Sequence, residues 1–298
     1  MDEYLDAVER EMQFTEERCA GKKANTVYIG GGTPTTLTPA QMERLIRMIR
    51  KYFDLSECRE FTVEAGRPDS ITREKLAAMK ENGVERISVN PQTMKQETLD
   101  LIGRRHTVQQ VIDGFAMARD AGFDNINMDL IMGLPQESLF DAQATMEAVE
   151  ALAPDSVTVH SLAVKRAARL TAQWEIYRDA QMVNTQAHMD LCEEHCRRMG
   201  LSPYYLYRQK GMAGNLENVG YAAEGKEGLY NILMMEEKQS IMALGAGAST
   251  KLVLDRYNPD GSRVIKRVEN VKDIRAYLER VDEMIEHKAR RMDELGWH

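Results

Sequence analysis

Residues 28–35 read Tyr-Ile-Gly-Gly-Gly-Thr-Pro-Thr and hold the residue types best suited to binding a ligand. Glycine lacks a Cβ atom, so its backbone can adopt positive φ and approach a ligand closely. Exposed N–H and C=O groups at the end of a strand are suited to a charged head group. Two interpretations stay open at this point: a ligand-binding turn built on Gly31, Gly32 and Thr33, or a tight strand-to-helix turn without a ligand.

Polar residues recur where further predicted strands end. Glu64, Gln92 and Asp129 close or follow three of these strands, and a turn comes after His160. In parallel α/β folds, ligands bind beyond the carboxyl ends of the strands. Each residue taken alone is explained as an ordinary loop side chain, but their shared position predicts one pocket on one face.

Alternating strands and helices position these residues. β-Branched and aromatic runs predict strands, and apolar residues at helical spacing predict helices. We expect strands at 26–29, 60–65, 86–90, 125–131 and 156–160. We expect helices at 2–18, 71–82, 108–121 and 140–152, a further helix that begins at Pro39 after a Thr38 cap, and a helical stretch that ends at Leu101. Such alternation indicates parallel βα units, in a barrel or a doubly wound sheet.

The pattern changes after residue 165. We expect helices at 170–180, 186–199 and 271–287, strands at 204–208, 229–232 and 263–268, and a second glycine turn at 244–249. The predicted domains are therefore a barrel core, residues 1–165, and residues 166–298, which continue the barrel and add an accessory region.

Composition narrows the class of protein. The chain has 298 residues, of which 43% are hydrophobic, and a formal net charge of −8, which argues against non-specific binding to nucleic acid or anionic membranes. No apolar run is long enough to cross a bilayer, and the first residues lack a signal-peptide pattern. Four cysteines are too few for a disulfide scaffold of this size. We expect a cytoplasmic monomer with a small-molecule substrate.

A possible metal site lies at His188, Cys192 and Cys196, with His195 beside them. On one helix, positions 188 and 196 are separated by about 12 Å, because the rise is about 1.5 Å per residue. Zinc ligands reach only about 2.0–2.3 Å, so all three cannot meet at one ion. A buried apolar helix face with reduced cysteines is the favoured interpretation, and we predict no metal site.

Five motifs together resemble the radical SAM enzymes, in the branch of the oxygen-independent coproporphyrinogen III oxidases. They are the glycine motif at 28–35, Thr-Val-Glu-Ala at 62–65, Ile-Ser-Val-Asn-Pro-Gln-Thr at 87–93, Gly-Arg-Arg-His at 103–106 and Asn-Met-Asp-Leu-Ile-Met-Gly-Leu-Pro at 127–135. Motifs at 205–210, 215–221 and 243–249 look like the HemZ-type subgroup. The resemblance implies an α/β fold, a partial TIM-type barrel with a smaller α+β extension.

The same resemblance implies a site for S-adenosylmethionine. Its amino group would meet Gly31, Gly32 and Thr33, its carboxylate Arg104, and its ribose Gln92 and Asp129, with Glu64 as the acidic residue of the second strand and Ala163 as a backbone contact near the adenine. The residue types suit these groups, since a carboxylate prefers a guanidinium fork and vicinal hydroxyls prefer a carboxylate or an amide.

One family feature does not occur in this sequence. The family holds a 4Fe–4S cluster with Cys-x3-Cys-x2-Cys, and neither that triplet nor a strand before the first helix is present. We therefore expect a shortened piece of a longer protein, with the first barrel strand and the cluster ligands missing, that is inactive alone.

The resemblance implies a function for the parent protein: oxidative decarboxylation of coproporphyrinogen III to protoporphyrinogen IX, using S-adenosylmethionine, the cluster and an electron donor. Two alternatives stay open. One is a protein that binds S-adenosylmethionine or haem without oxidase turnover, and the other is a barrel enzyme whose glycine turn binds phosphate. Tyr204, Tyr205, Tyr207 and Arg208 would be able to stack on a macrocycle, although an ordinary aromatic strand explains them too. The catalytic residues are not identified by the sequence.

Overall fold

The computed structural model describes residues 1–162, 183–207 and 216–297. The chain forms two compact units. The terminal unit comprises Met1–Val27, Leu37–Arg59 and Leu229–His298, and the sheet unit comprises Tyr28–Thr36 and Glu60–Gly228. The domain boundary expected at residue 165 stays a prediction.

The described strands form one large sheet and one hairpin. Their bounds are β1 Thr26–Ile29, β2 Glu60–Glu64, β3 Arg86–Ser88, β4 Ile126–Met132, β5 Ser156–Ser161, β6 Ser202–Tyr207, β7 Asn218–Ala222, β8 Ser249–Tyr257 and β9 Arg263–Glu269. The sheet has the order β1-β2-β3-β4-β5-β7-β6. Strands β2 to β5 run parallel, and β7 pairs antiparallel with both β5 and β6. The parallel βα arrangement expected from the alternation is confirmed.

Ten described helices accompany these strands. They are α1 Asp2–Arg18, α2 Pro39–Tyr52, α3 Arg73–Glu81, α4 Gln96–Leu101, α5 Val108–Asp120, α6 Leu139–Leu152, α7 Gln186–Arg198, α8 Leu229–Met235, α9 Ile274–Glu279 and α10 Val281–Leu295. The predicted cap of α2 is present: the Thr38 hydroxyl accepts from the Gln41 backbone N–H, and the Gln41 side chain accepts from the Thr38 N–H.

The two faces of the parallel sheet differ in chemistry. One face is apolar and buried, with Val63, Ile87, Met128 and Val157 among its residues. The other face is polar: in register across β2 to β5 it carries Glu64, Ser88, Asn127, Asp129, Ser156, Thr158 and His160. Parallel strands are usually apolar on both faces because helices cover both. The polar face is therefore the side of the sheet that does not pack against an apolar core.

Several sequence predictions need correction. The strand predicted at 229–232 is wrong, because this segment begins α8; Leu and Met continue it to Met235, and these residues favour helix. The single helix predicted at 271–287 divides at Arg280, whose φ of −124° is not helical, into α9 and α10. Strands β7 and β8 were missed. The helix predicted at 170–180 lies outside the described residues.

Gly220 explains why β7 escapes a pattern search. A Cβ atom at Gly220 would lie 2.0 Å from Cε1 of Tyr205 on the neighbouring strand. The absence of a side chain at Gly220 leaves space for the Tyr205 ring, yet glycine lowers the strand propensity of the segment.

Within the described residues, no helix is long and apolar enough to cross a membrane.

The terminal unit has its own core and a buried ionic network. Leu252, Leu254, Val268 and Met292 form the apolar cluster. The network centres on Glu11, whose carboxylate accepts four hydrogen bonds of 2.7–2.8 Å: from Lys288 Nζ, Asn270 Nδ2, the Tyr277 hydroxyl and the Gly245 N–H. Glu11 is 0% exposed and Lys288 is 1% exposed. Sequence reasoning did not find this network, since its members lie far apart along the chain.

Candidate functional site

The three glycines after β1 do three different things. A Cβ atom at Gly30 would lie 2.4 Å from the Tyr28 ring, so Gly30 makes room for that side chain. Gly31 adopts φ of +103°, which L side chains rarely adopt. A Cβ atom at Gly32 would meet no atom of the described residues within 4 Å, so its backbone faces open space. The conformation of the turn explains Gly30 and Gly31, whereas neither a close contact within the described residues nor a positive φ explains Gly32.

Glu64 closes β2 beside this turn. Its carboxylate accepts from the Tyr28 hydroxyl at 2.7 Å and from the Gly31 N–H at 3.2 Å. Burial raises the pKa of Glu64, and the negative charge of Asp129 raises it further. No cation within the described residues pairs with Glu64. The carboxylate therefore has capacity for a cationic group.

The loop after β3 places Gln92 in a strained conformation. Gln92 has φ of +68°, which is uncommon for a residue other than glycine. Its N–H donates to the Asp129 carbonyl at 3.0 Å, and its own carbonyl accepts from the Ile131 N–H at 2.9 Å. His106 packs behind the loop with its Nε2 3.3 Å from the Pro91 carbonyl, and burial lowers the pKa of His106. Such strain persists where the surroundings hold it and is concentrated at functional sites.

Two arginines supply positive charge to the same loops. Arg67 binds Asp69 through two hydrogen bonds, from Nε to Oδ1 at 3.1 Å and from Nη2 to Oδ2 at 2.5 Å. Arg104 follows α4 and keeps solvent exposure, yet partial burial and the like charge of Arg67 lower its pKa. No carboxylate in the described part of the chain pairs with Arg104. Of the two guanidinium groups only Arg67 has an acid partner among the described residues, which leaves the positive charge of Arg104 for an anionic ligand.

These loops enclose one cavity of about 180 Å³. Its lining consists of Gly32, Thr33, Pro34, Glu64, Gly66, Arg67, Asn90, Gln92 and Arg104. Small-molecule sites usually measure about 300–1,000 Å³, so a cavity of this size suits one end of a longer ligand. The structure therefore brings five of the predicted site residues to a single place: Gly32, Thr33, Glu64, Gln92 and Arg104.

The remaining predicted residues lie differently. Gly31 touches the site through its hydrogen bond to Glu64. Asp129 was expected at the end of β4 but lies in its middle, paired with Thr158. The negative charge of Asp129 raises the pKa of Glu64. Asp129 Oδ1 accepts a hydrogen bond from the Asn127 side chain at 2.6 Å, and Asp129 does not line the cavity. Ala163 lies outside the described residues.

Sequence reasoning did not assign four residues that line the cavity: Pro34, Gly66, Arg67 and Asn90. Asn90 is 8% exposed, and its Oδ1 atom has no hydrogen-bond partner among the described residues. Gly66 makes room for it, since a Cβ atom at Gly66 would lie 3.0 Å from Asn90 Nδ2. The signal for their position was present in the sequence, because Gly66 and Asn90 lie two residues beyond the ends of β2 and β3, the strand ends where Glu64 and Gln92 were predicted.

The charges of the cavity have a clear polarity. Its lining holds one acid, Glu64, which is bonded to the glycine turn, and two bases, Arg104 and Arg67. A carboxylate with room for a cation and a guanidinium without an acid are complementary to a zwitterion. A ligand that carried only phosphate would pair with the arginines but leave Glu64 without a cationic partner. The arrangement thus suits the amino-acid end of a ligand.

The cysteines of the sheet unit are packing residues. Cys192 and Cys196 are both 0% exposed on α7. Burial raises the pKa of Cys192 to about 12, so its thiol stays protonated at neutral pH. His195 binds Glu150 at 2.6 Å, and His188 helps to cap its own helix. Among the described residues no group of three His, Cys, Asp or Glu side chains is arranged to hold a metal ion.

The predicted aromatic strand is present, and part of it belongs to the polar face. Tyr205 bonds to the Thr158 side chain, and burial raises its pKa. Its ring stacks on Tyr207 at 6.2 Å between centroids. Arg208 lies outside the described residues. The tyrosines extend the polar face across β6, the edge strand of the sheet.

A second depression of about 320 Å³ lies on the terminal unit, between α1 and α2. Its cations are already paired: Arg44 with Asp6 and Glu9, and Arg47 with Glu43. It is larger than the cavity of the sheet unit, but the cations that line it already have acid partners. It is an ordinary solvated groove.

Comparison with known proteins identifies the relatives of this chain. Residues 3–149 match the family described as the radical SAM superfamily. The chain is 42% identical over 274 residues to the oxygen-independent coproporphyrinogen-III oxidase-like protein HemZ of Bacillus subtilis, covering 92% of this chain and 54% of that protein. It is 39% identical over 166 residues to the haem chaperone HemW of the same organism, covering 55% of this chain and 44% of HemW. The chain thus spans about half the length of the curated relatives it matches.

A solved structure shows the fold. The chain superposes on the coproporphyrinogen III oxidase HemN of Escherichia coli, described as a radical SAM enzyme, with a TM-score of 0.71 and 23% identity. The match covers 95% of this chain and 63% of that one. The expected α/β fold, a partial barrel of the TIM type, is confirmed.

Proposed function

This chain belongs to the radical SAM superfamily, and from that premise we propose that the cavity of the sheet unit binds the amino-acid end of S-adenosylmethionine. The α-carboxylate lies against Arg104, and the α-ammonium lies between Glu64 and the backbone of Gly32. Gln92 and Asp129 serve the ribose. The bound cofactor supplies the hydrogen-abstraction chemistry of this superfamily.

The observation that carries this proposal is the polarity of the cavity. Arg104 has no acid partner in the described part of the chain, and Glu64 has no cation partner there. A charged group that is partly buried without a partner costs stability, so proteins keep such groups where a ligand supplies the partner. Methionine-type zwitterions supply both partners one carbon apart.

The described residues do not fit an iron–sulfur cluster. A 4Fe–4S cluster is held by cysteine thiolates at close spacing. Cys192 is buried with a raised pKa, and Cys19 and Cys58 are single half-buried thiols. We therefore assign no cluster ligand in this chain and no reaction step to it. Its part in the whole protein is to bind and orient the cofactor, and we expect this chain to show no turnover by itself.

For the whole protein we propose oxidative decarboxylation of coproporphyrinogen III to protoporphyrinogen IX, with an external electron donor. HemZ, named as an oxidase-like protein, is 42% identical over 92% of this chain, whereas HemW of Haemophilus influenzae, a haem chaperone that matches the same share of the chain, is 25% identical. The polar sheet face with Tyr205 and His160 offers a wall for the substrate. Haem binding without turnover is the second candidate, which the HemW relatives favour.

A calorimetric titration of this chain with S-adenosylmethionine tests the first proposal. We expect one site per chain, and weaker binding in Arg104→Ala by about tenfold or more, since a hydrogen bond to a charged group contributes about 1.5–3 kcal/mol. Arg105→Ala is the matched control, because this neighbouring arginine does not line the cavity. Equal loss in both variants, or no binding in the unmodified chain, would contradict the proposal.

Titration with porphyrins separates the two whole-protein functions. The chain, together with a longer protein that carries the cluster motif, is titrated with haem and with coproporphyrin III under the same conditions. Preference for coproporphyrin supports the oxidase, and preference for haem supports the chaperone. Inorganic phosphate and phosphate esters serve as competitors against S-adenosylmethionine; effective competition would favour the phosphate-binding alternative.

A further inference from the structure

We propose that Asn90 is a further ligand-contacting residue, whose Oδ1 atom accepts a hydrogen bond from the α-ammonium of the bound amino-acid group. The inference rests on the proposed function and extends it to a residue outside the set that the family resemblance supplied. It begins from an unsatisfied polar atom rather than from a motif.

The first observation is the burial of Asn90. The residue is 8% exposed, and Oδ1 is one of the few buried side-chain atoms in the described chain without a hydrogen-bond partner. Leaving such an acceptor unsatisfied costs about 1–3 kcal/mol, so native proteins keep few of them. Asn90 is also one of the residues that line the cavity, so a ligand bound there lies beside this amide.

The second observation is that the neighbouring backbone makes room for this amide. A Cβ atom at residue 66 would lie 3.0 Å from Asn90 Nδ2 and 3.7 Å from its Cγ. Gly66 is not at positive φ, so its lack of a side chain is explained by this close approach and not by backbone conformation. The amide is therefore held against the end of β2, next to Arg67.

The chemistry of the neighbours selects the donor. A carbonyl oxygen accepts hydrogen bonds and repels a carboxylate, so Oδ1 cannot face the anionic end of the ligand. The ammonium of an α-amino acid lies one carbon from its carboxylate, which places it near the arginines and within the same cavity as Glu64. Asn90 and Glu64 then receive two of the three ammonium hydrogens.

The test measures ligand binding and stability in Asn90→Ala and Asn90→Asp. The ligands are S-adenosylmethionine and its analogue in which hydrogen replaces the α-amino group. We expect Asn90→Ala to bind S-adenosylmethionine about tenfold more weakly, the range for a hydrogen bond to a charged group, and to bind the deaminated analogue as the unmodified chain does. Asn90→Asp keeps the acceptor and adds negative charge, so it should retain S-adenosylmethionine and bind the deaminated analogue less well.

A measurement on the free chain separates ligand contact from a structural role. The unpartnered acceptor stabilises nothing in the free protein, so the melting temperature of Asn90→Ala should equal or exceed that of the unmodified chain. Asn82→Ala, whose Nδ2 donates to the Ala78 carbonyl at 2.8 Å, is the control outside the cavity and should leave both affinities unchanged.

Three outcomes would overturn the inference. If Asn90→Ala loses affinity for both ligands equally, or melts at a clearly lower temperature, the amide only packs. If the unmodified chain binds S-adenosylmethionine and Asn90→Ala binds it with equal affinity, the assignment of Asn90 falls and the proposed function stands. If the unmodified chain does not bind S-adenosylmethionine at all, both fall together.

Discussion

Glu11 in the terminal unit and Glu64 in the sheet unit are two carboxylates with opposite surroundings. Glu11 accepts four hydrogen bonds and pairs with Lys288 in an environment closed to water. Glu64 accepts two hydrogen bonds, has no cation partner among the described residues and opens on a cavity. Both carboxylates accept hydrogen bonds from neighbouring elements, but only Glu64 has acceptor capacity left for a ligand.

The difference teaches how to separate structural polar groups from functional ones. A buried network in which every group is satisfied makes the native arrangement unique but leaves no group to bind a ligand. The cavity of the sheet unit has the opposite character: within the described ranges Arg104 lacks an acid, Asn90 Oδ1 lacks a donor, and Gln92 is held at φ of +68°. Unsatisfied groups that converge on one cavity indicate a binding site.

The largest change in the free energy of unfolding is expected when one charge of the buried Glu11 network is removed. Lys288→Met removes the cation and leaves Glu11 buried without its charge partner, which should lower the free energy of unfolding by about 3–5 kcal/mol. Urea unfolding followed by circular dichroism measures it. Asp282→Asn, which breaks the exposed pair with Arg10, should change stability by less than about 1 kcal/mol. If Lys288→Met changed the free energy of unfolding as little as Asp282→Asn does, the network would not stabilise the terminal unit as its geometry indicates.

The double variant Glu11→Gln/Lys288→Met sharpens this test. Replacing both charges removes the unpaired ion, so much of the stability lost in Lys288→Met should return. Additive losses instead would mean that the two residues do not act as one pair.

A smaller effect is expected at Gly32, and it should affect binding rather than folding. Because the space around Gly32 is open and its φ is not positive, Gly32→Ala should keep the free energy of unfolding within about 1 kcal/mol. If the ligand approaches this backbone, the added methyl group should weaken S-adenosylmethionine binding by about tenfold, or 1.4 kcal/mol. Gly31→Ala is the counterpart: at φ of +103° it should lose stability as well as binding.

The smallest effect on stability is expected at Glu64, and its pH dependence has a defined sign. The pKa of Glu64 is raised in the folded chain, so the folded state binds this proton more tightly than the unfolded state. Its unfavourable contribution is absent below the unfolded pKa and grows as pH rises from there through the folded pKa. Glu64→Gln should therefore cost less stability at pH 7 than at pH 4, whereas a stabilising ion pair of this carboxylate would give the reverse order.

The affinity for S-adenosylmethionine should also depend on the protonation of Glu64. The ammonium requires the ionised carboxylate, so affinity for S-adenosylmethionine should rise as pH increases through the raised pKa of Glu64. Titrations from pH 4 to 8 measure this slope, and Glu64→Gln should flatten it. An unchanged slope in the variant would assign the titration to another group.

The sequence predicted local features well and long-range ones poorly. The Thr38–Gln41 cap and the first five strands follow from short-range patterns, and the structure confirms them. The segment 229–232 was misassigned, because a short stretch with three apolar or aromatic residues fits a strand or a helix equally well.

The candidate site shows the same division. Glu64, Gln92 and Arg104 were identified through family motifs, and the structure brings them together. The unpartnered acceptor of Asn90 and the fit of Gly66 beside it depend on a contact between the loops that follow β2 and β3, which no spacing along the chain encodes. The Glu11–Lys288 pair joins residues at opposite ends of the chain and was invisible for the same reason.

The most direct test of the account is a double-mutant cycle between Arg104 and the carboxylate of the ligand. S-Adenosylmethionine and its decarboxylated analogue are titrated into the unmodified chain and into Arg104→Ala. If Arg104 binds the carboxylate, the unmodified chain should prefer S-adenosylmethionine by about tenfold or more, and Arg104→Ala should bind the two ligands alike. If Arg104→Ala keeps the full preference, the cavity does not hold the amino-acid end of the cofactor and the central claim is wrong.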